Sequence, residues 1–183
     1  MKALSRRLFT LSAAALLAGC ANTSDMAGMA ERDPLGAFKL GHVVVVADNV
    51  QRVQPSRDVS IDEWESAMKS ALEQRFSGYP GDQFYHIAVA VLGYSVAVPG
   101  VPVVMAPKSV MVIEASIWDD AAGGKINAEP RQFTIFESVD ENFVVGSGLT
   151  KSKSEQVANL SANAAYQIEQ WMRENEGWFE RKE

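Results

Sequence analysis

The sequence predicts an α+β protein: a two-layer sandwich in β-α-β-β-β-α order, with two helices on one face of a four- or five-stranded mixed sheet. Three observations point to it. Two Ser-x-x-Glu capping boxes, Ser60 to Glu63 and Ser152 to Glu155, each open a stretch with apolar residues at helical spacing. Runs rich in β-branched residues fill most of the remaining chain. One helical stretch separates the first two of these runs and the other follows the last, which suits helices layered on one sheet face.

Taken in order, His42 to Ala47 is a β-branched run bounded by Gly41 and Asp48. Its unbroken apolar character predicts a strand buried on both faces, in the middle of the sheet. Ser60 then caps a helix. Ile61, Trp64, Met68, Ala71, Leu72 and Phe76 form its apolar stripe, and Asp62, Glu63, Glu65, Lys69 and Glu73 its polar side. Gly78-Tyr79-Pro80-Gly81 ends it. A crossover of this kind makes the first two strands parallel and right-handed.

Phe84 to Val98 is the second strand run, and Val110 to Trp118 the third. In the third, Met111, Ile113, Ala115 and Ile117 alternate with Val112, Glu114 and Ser116, the signature of one well-buried face. Asp119 to Gly124 is a turn, and Arg131 to Val139 a fourth strand with Phe133 and Ile135 inward. Phe143 to Val145 is a short further candidate. The last helix is expected from about Ser154 to Asn175, with Val157, Leu160, Ala164, Ile168, Trp171 and Met172 inward. Trp178 and Phe179 follow and are expected to fold back onto the body.

The N-terminus reads differently. Lys2, Arg6 and Arg7 precede an apolar run, Leu8 to Leu17, broken only by Thr10 and Ser12. This is the n-region and h-region of an export signal. The run is too short to cross a bilayer, which takes about 20 apolar residues. It ends in Leu17-Ala18-Gly19-Cys20, which contains the only cysteine. Those four residues resemble the lipobox of bacterial lipoproteins, Leu-(Ala/Ser)-(Gly/Ala)-Cys, at every position. The resemblance implies that residues 1–19 are removed and that Cys20 carries the acyl chains, palmitate among them. Several acyl chains on one residue anchor stably where one does not. Ser5-Arg6-Arg7-Leu8-Phe9 resembles a twin-arginine export motif, with Thr10 where that motif prefers Leu, so the general and twin-arginine routes both stay open. Ala21 rather than Asp after the anchor favours the outer over the inner membrane, by analogy with enterobacterial lipoproteins.

The resulting organisation is a removed signal (1–19), a lipidated Cys20 with a flexible tether (20–36), and one globular domain (37–183). The tether is small and polar, and as a coil its root-mean-square span is roughly 20 Å. Without the signal, 14 basic residues face 23 acidic ones. Nucleic acid is therefore an unsuitable partner, since binding it calls for a basic patch. Anionic headgroups are equally unsuited to hold the body by charge.

Candidate chemistry is sparse. His42 and His86 each stand at the entrance of a strand run, and parallel pairing of those strands brings the two rings near one another. Two histidines fall short of the three or four ligands of a zinc site. Gly146-Ser147-Gly148 before the last helix lacks the spacing of a phosphate loop or of a nucleophile elbow. Asp119, Asp120, Asp140 and Glu141 read as turn residues, and Trp64 and Trp171 as core. No catalytic residue, cofactor or metal is implied.

The element order over residues 38–175 also resembles small α+β domains of envelope lipoproteins and periplasmic accessory proteins. With the lipobox, it implies a non-catalytic, periplasm-facing envelope protein that binds or scaffolds a partner. A carrier of a small apolar ligand serving a transporter, or an anchored hydrolase, are the alternatives. Residues 96–106 are an uncharged connection containing Pro99 and Pro102. Apolar connections either close a core or meet a partner. One expectation is a projecting hairpin whose contact surface is Val98, Val101, Val103 and Met105, turned to another envelope protein or to the membrane. The other is a hairpin folded over its own sheet.

Overall fold

The computed structural model describes residues 33–98, 109–137 and 151–180. Cys20, the signal and most of the tether lie outside these residues, as do Val101, Val103, Met105, Phe143 to Val145, and Gly146 to Gly148. The order is β1 (Phe38–Val46), β2 (Gln51–Arg52), α1 (Ile61–Phe76), β3 (Gln83–Ser95), β4 (Val110–Asp119), β5 (Gly124–Lys125), β6 (Arg131–Phe136) and α2 (Lys153–Glu174), then a 3-10 turn, Glu176–Phe179. Among the described residues the fold is the expected α+β sandwich, with two helices against one face of a mixed sheet. Among the described residues the sheet has six strands, because two short pairings, β2 with β3 and β5 with β4, extend the four long ones.

β1 runs parallel to β3, while β4 is antiparallel to both β3 and β6. The crossover through α1 joins the parallel pair, as expected. Both helices begin at the predicted caps. Ser60 accepts from the Glu63 N–H and the Glu63 carboxylate accepts from the Ser60 N–H, and Ser152 and Glu155 repeat the pattern. Trp64, Met68, Leu72 and Phe76 of α1 are buried, as are Val157, Leu160, Ala164, Ile168 and Met172 of α2. Ile61, expected on the apolar stripe, is instead half in solvent at the first turn. The sheet supplies the facing layer, with Ile87, Val89, Val91, Met111, Ile113, Ile117, Phe133 and Ile135 in the same core.

Aromatic packing closes the end of the core where β1 and β3 start. The ring of Phe38 meets those of Phe76, Tyr79, Tyr85 and Phe179 at centroid distances of 5.4–5.9 Å. Phe179 thus folds back as expected, and its carbonyl accepts from the Ala37 N–H at 2.8 Å. Leu35 is buried as well, so the body takes hold of the chain before β1 begins.

One strand is misplaced by the sequence reading. β1 lies at an edge of the sheet among the described residues, not in its middle. Its residues alternate, with His42, Val44 and Val46 exposed and Phe38 buried. A run of four valines carries no marking of which face is covered, so the unbroken pattern suggested two covered faces where, among the described residues, only the helix side is covered.

Candidate functional site

The strand registers define the sheet face turned away from the helices. In β3, Phe84, His86, Ala88 and Ala90 point to it, between the buried Tyr85, Ile87, Val89 and Val91. Across the β3–β4 ladder His86 lies opposite Trp118, Ala88 opposite Ser116 and Ala90 opposite Glu114. On the other side Val44 pairs with Ala88 and Val46 with Ala90. Across β4–β6, Val112 pairs with Thr134 and Val110 with Phe136. The face therefore presents Val44, Val46, Phe84, Trp118 and Phe136 to solvent, each 41–56% exposed. Among the described residues the helices leave this face uncovered, with Val44 and Val46 on β1, Phe84 and Trp118 at one end, and Phe136 on β6.

A polar cluster sits within it. Between Leu40 and Val43 two residues of β1, Gly41 and His42, oppose the single His86 of β3. This is a β-bulge, which re-aims side chains at a strand edge. It brings the imidazoles of His42 and His86 into a stack, 5.1 Å between centroids and 19° between planes. The His42 N–H donates to His86 Nδ1 at 2.8 Å, so Nδ1 is the acceptor and Nε2 carries the proton. Nε2 faces Asp120 Oδ1 at 3.1 Å. Gly41 makes room for this, since a Cβ there would sit 2.5 Å from His86 Nδ1. Lys39 lies 5.0 Å from the Phe84 ring centroid, a cation–π contact beside the cluster.

The expectation that parallel pairing would bring the two histidines together is met. Asp120, read as a turn residue, is the partner the sequence reading missed. It stands at the β4–β5 turn, where its N–H donates to the Phe84 carbonyl and continues the ladder. Chemically this is an oriented His–Asp pair at the surface. Among the described residues no three His, Cys, Asp or Glu side chains are grouped to hold a metal.

Of the expected partner surface, only Val98 is described, and it is half-buried just after β3. Val96 and Ala97 before it are buried, and the Ala97 N–H donates to Ser109 Oγ. The start of this connection therefore belongs to the core.

Among the described residues, open grooves lie elsewhere. One of about 590 Å³ between the helices is lined by Asp62, Glu63, Ser66, Ser70, Ser154 and neighbours. The other, of about 490 Å³, lies where Gly36 and Ala37 pass Pro80 to Asp82 and Phe179. Neither is an enclosed apolar pocket of the kind a carrier uses. A second polar cluster, unsuspected from sequence, joins the helices. Glu169 of α2, its side chain 5% exposed, accepts from Arg75 Nε at 2.7 Å, from Arg75 Nη2 and from the Tyr79 hydroxyl. Arg173 Nη2 donates to the same hydroxyl at 2.8 Å. A charge this deep, with its acceptors used, is a structural tie.

No family model matches the chain, and no curated protein matches it. Among solved structures it is similar to the PelC dodecamer from Paraburkholderia phytofirmans, at 14% identity and a TM-score of 0.39, over 71% of this chain and 86% of that one. It is similar to a minor lipoprotein from Acinetobacter baumannii at 19% identity and a TM-score of 0.37, over 78% and 95% of the two chains.

Proposed function

We propose that the chain is a lipid-anchored protein of the bacterial cell envelope that binds or scaffolds a protein partner and catalyses no reaction. The observation that carries the binding part is the sheet face that the described residues leave uncovered. Four strands about 4.8 Å apart and about eight residues long offer roughly 500 Å² of projected area. Standard protein interfaces bury about 800 Å² of accessible surface per partner, so a face of this size suits one. Val46, Val112 and Phe136 occupy the part of that face away from the histidine cluster, and Val44 adjoins His42. The anchor rests on the lipobox residues Leu17 to Cys20 and places the domain toward the periplasm, with the outer membrane favoured by Ala21.

Site-specific photo-crosslinking in intact envelopes tests the binding reading. A crosslinker at Val46 or Phe136 should yield one discrete adduct, while the same group at Glu73, on the solvent side of α1, should yield none. Identical patterns from all three positions would exclude the sheet face as the docking surface. The anchor is tested separately by palmitate labelling, which Cys20→Ser should abolish.

A further inference from the structure

We infer that the end of the open sheet face bearing Phe84 and Trp118 lies against the lipid headgroup layer of the membrane that holds the anchor, an inference resting on acylation of Cys20. The first support is where the chain enters the body. Asp33 to Ala37 is pinned at the end of the sheet where β1 and β3 begin and β4 finishes. Leu35 is buried there, the Arg173 guanidinium donates to the Asp33 carbonyl, and the Gln83 N–H donates to the Ala37 carbonyl. The 13 residues from Cys20 to Arg32 span at most about 45 Å however they are arranged. A body of this size is itself about 40 Å across. As a coil that stretch spans roughly 20 Å, about half the width of the body, so on average the entry end stays nearer the headgroups than the far end does.

The second support is what stands at that end. Phe84 pairs with Lys39 of β1, and two residues along β3 His86 pairs with Trp118, so Phe84 and Trp118 are diagonal neighbours on the open face. They are 46% and 41% exposed. Lys125 stands opposite Trp118 in the β4–β5 pairing. Aromatic rings with an apolar body and, for tryptophan, a polar N–H favour the boundary between headgroups and acyl chains.

Charge decides the kind of lipid contact. Lys39, Lys125 and His42 share this end with Asp82, Asp119 and Asp120, so no positive field draws the body to anionic lipid. The contact instead depends on the aromatic side chains, and it persists at high salt. It needs little intrinsic strength. A short tether raises the effective concentration of the surface to the millimolar range, so a contact of millimolar affinity is already populated. The remaining face, with Val46 and Phe136, is left clear for a protein.

The test uses the full chain purified from membranes and reconstituted into vesicles of phosphatidylcholine and phosphatidylethanolamine, some of the lipid brominated near the headgroup. Fluorescence quenching should be strong in the wild type, largely lost in Trp118→Phe, reduced in Phe84→Ser, and unchanged by added salt. Trp64 and Trp171 are buried, and the half-buried Trp178 is common to all variants and cancels in the comparison. Equal quenching in wild type and Trp118→Phe overturns the inference, as does quenching that salt abolishes. Mass spectrometry of the same sample reads the acyl chains on Cys20. An acylated protein with unquenched Trp118 removes the docking alone, whereas an unacylated one removes the anchor and the docking with it. A crosslink from position 118 to a protein in intact envelopes would also overturn it.

Discussion

Replacing Glu169 with Ala should cost the body about 3 kcal/mol, although the residue lies on a helix and touches no surface proposed for binding. Its carboxylate takes two donors from Arg75 and one from Tyr79 while 5% exposed. Removing one partner of a buried pair costs about 3–5 kcal/mol, because the other charge stays behind unpaired. Arg75 retains 32% exposure and can partly rehydrate, and Tyr79 keeps its bond from Arg173, which argues for the lower end. Glu169→Gln preserves shape and an acceptor for Arg75, so about 1–2 kcal/mol is expected from the weaker neutral bond. Removing both charges is different. Arg75→Met with Glu169→Met exchanges a desolvated pair for packed side chains and should fall within about 1 kcal/mol of wild type. Urea unfolding followed by far-ultraviolet circular dichroism measures all three. In a domain of this size the Ala variant should lose roughly 6–12 °C in Tm. An Ala variant losing under about 1 kcal/mol, or a double Met variant worse than the Ala variant, would refute the view that an isolated charge is the source of the cost.

Other outcomes follow from the same geometry. Gly41→Ala should displace the His86 ring, break its bond to the His42 N–H and cost about 1–2 kcal/mol. Amide exchange at His42 should then speed up, and unchanged protection there would count against the bulge lock. Acid should loosen the helix starts. Glu63 is held below the usual carboxylate value first by its bond from Lys153 and then by the Ser60 N–H. Glu155 is lowered by its bonds from the Ser152 hydroxyl and N–H. A lowered folded pKa means stability present above the unfolded value near 4.5 and lost as pH falls through the folded one. Glu63→Gln should flatten the acid limb of a stability–pH curve, and an unaltered limb would contradict this. Alkali acts on Tyr85, whose hydroxyl is raised above 10 by burial and by the charges of Asp119 and Asp82. A raised folded pKa means stability intact below pH 10 and lost as pH climbs through the folded value. Tyr85→Phe should blunt that alkaline loss.

Local rules carried much of the architecture. The two capping boxes needed only residues three positions apart, since the donors they satisfy belong to their own first turn. The alternation of Met111, Ile113, Ala115 and Ile117 marked the buried face of β4, because the pleat turns every second side chain the same way. The lipobox is likewise contiguous, so the anchor reading comes from sequence alone. Tertiary structure decided the rest, where the deciding partner is distant in sequence. Whether Val44 and Val46 were covered depended on which strands flank β1 and on which face the helices occupy. His86 met His42 across 44 residues and Asp120 across 34. Glu169 looks like any polar helix residue until Arg75, 94 positions away, neutralises it in the core. Periodicity ranks the faces of one element; only packing between elements says which of those faces remain open to solvent.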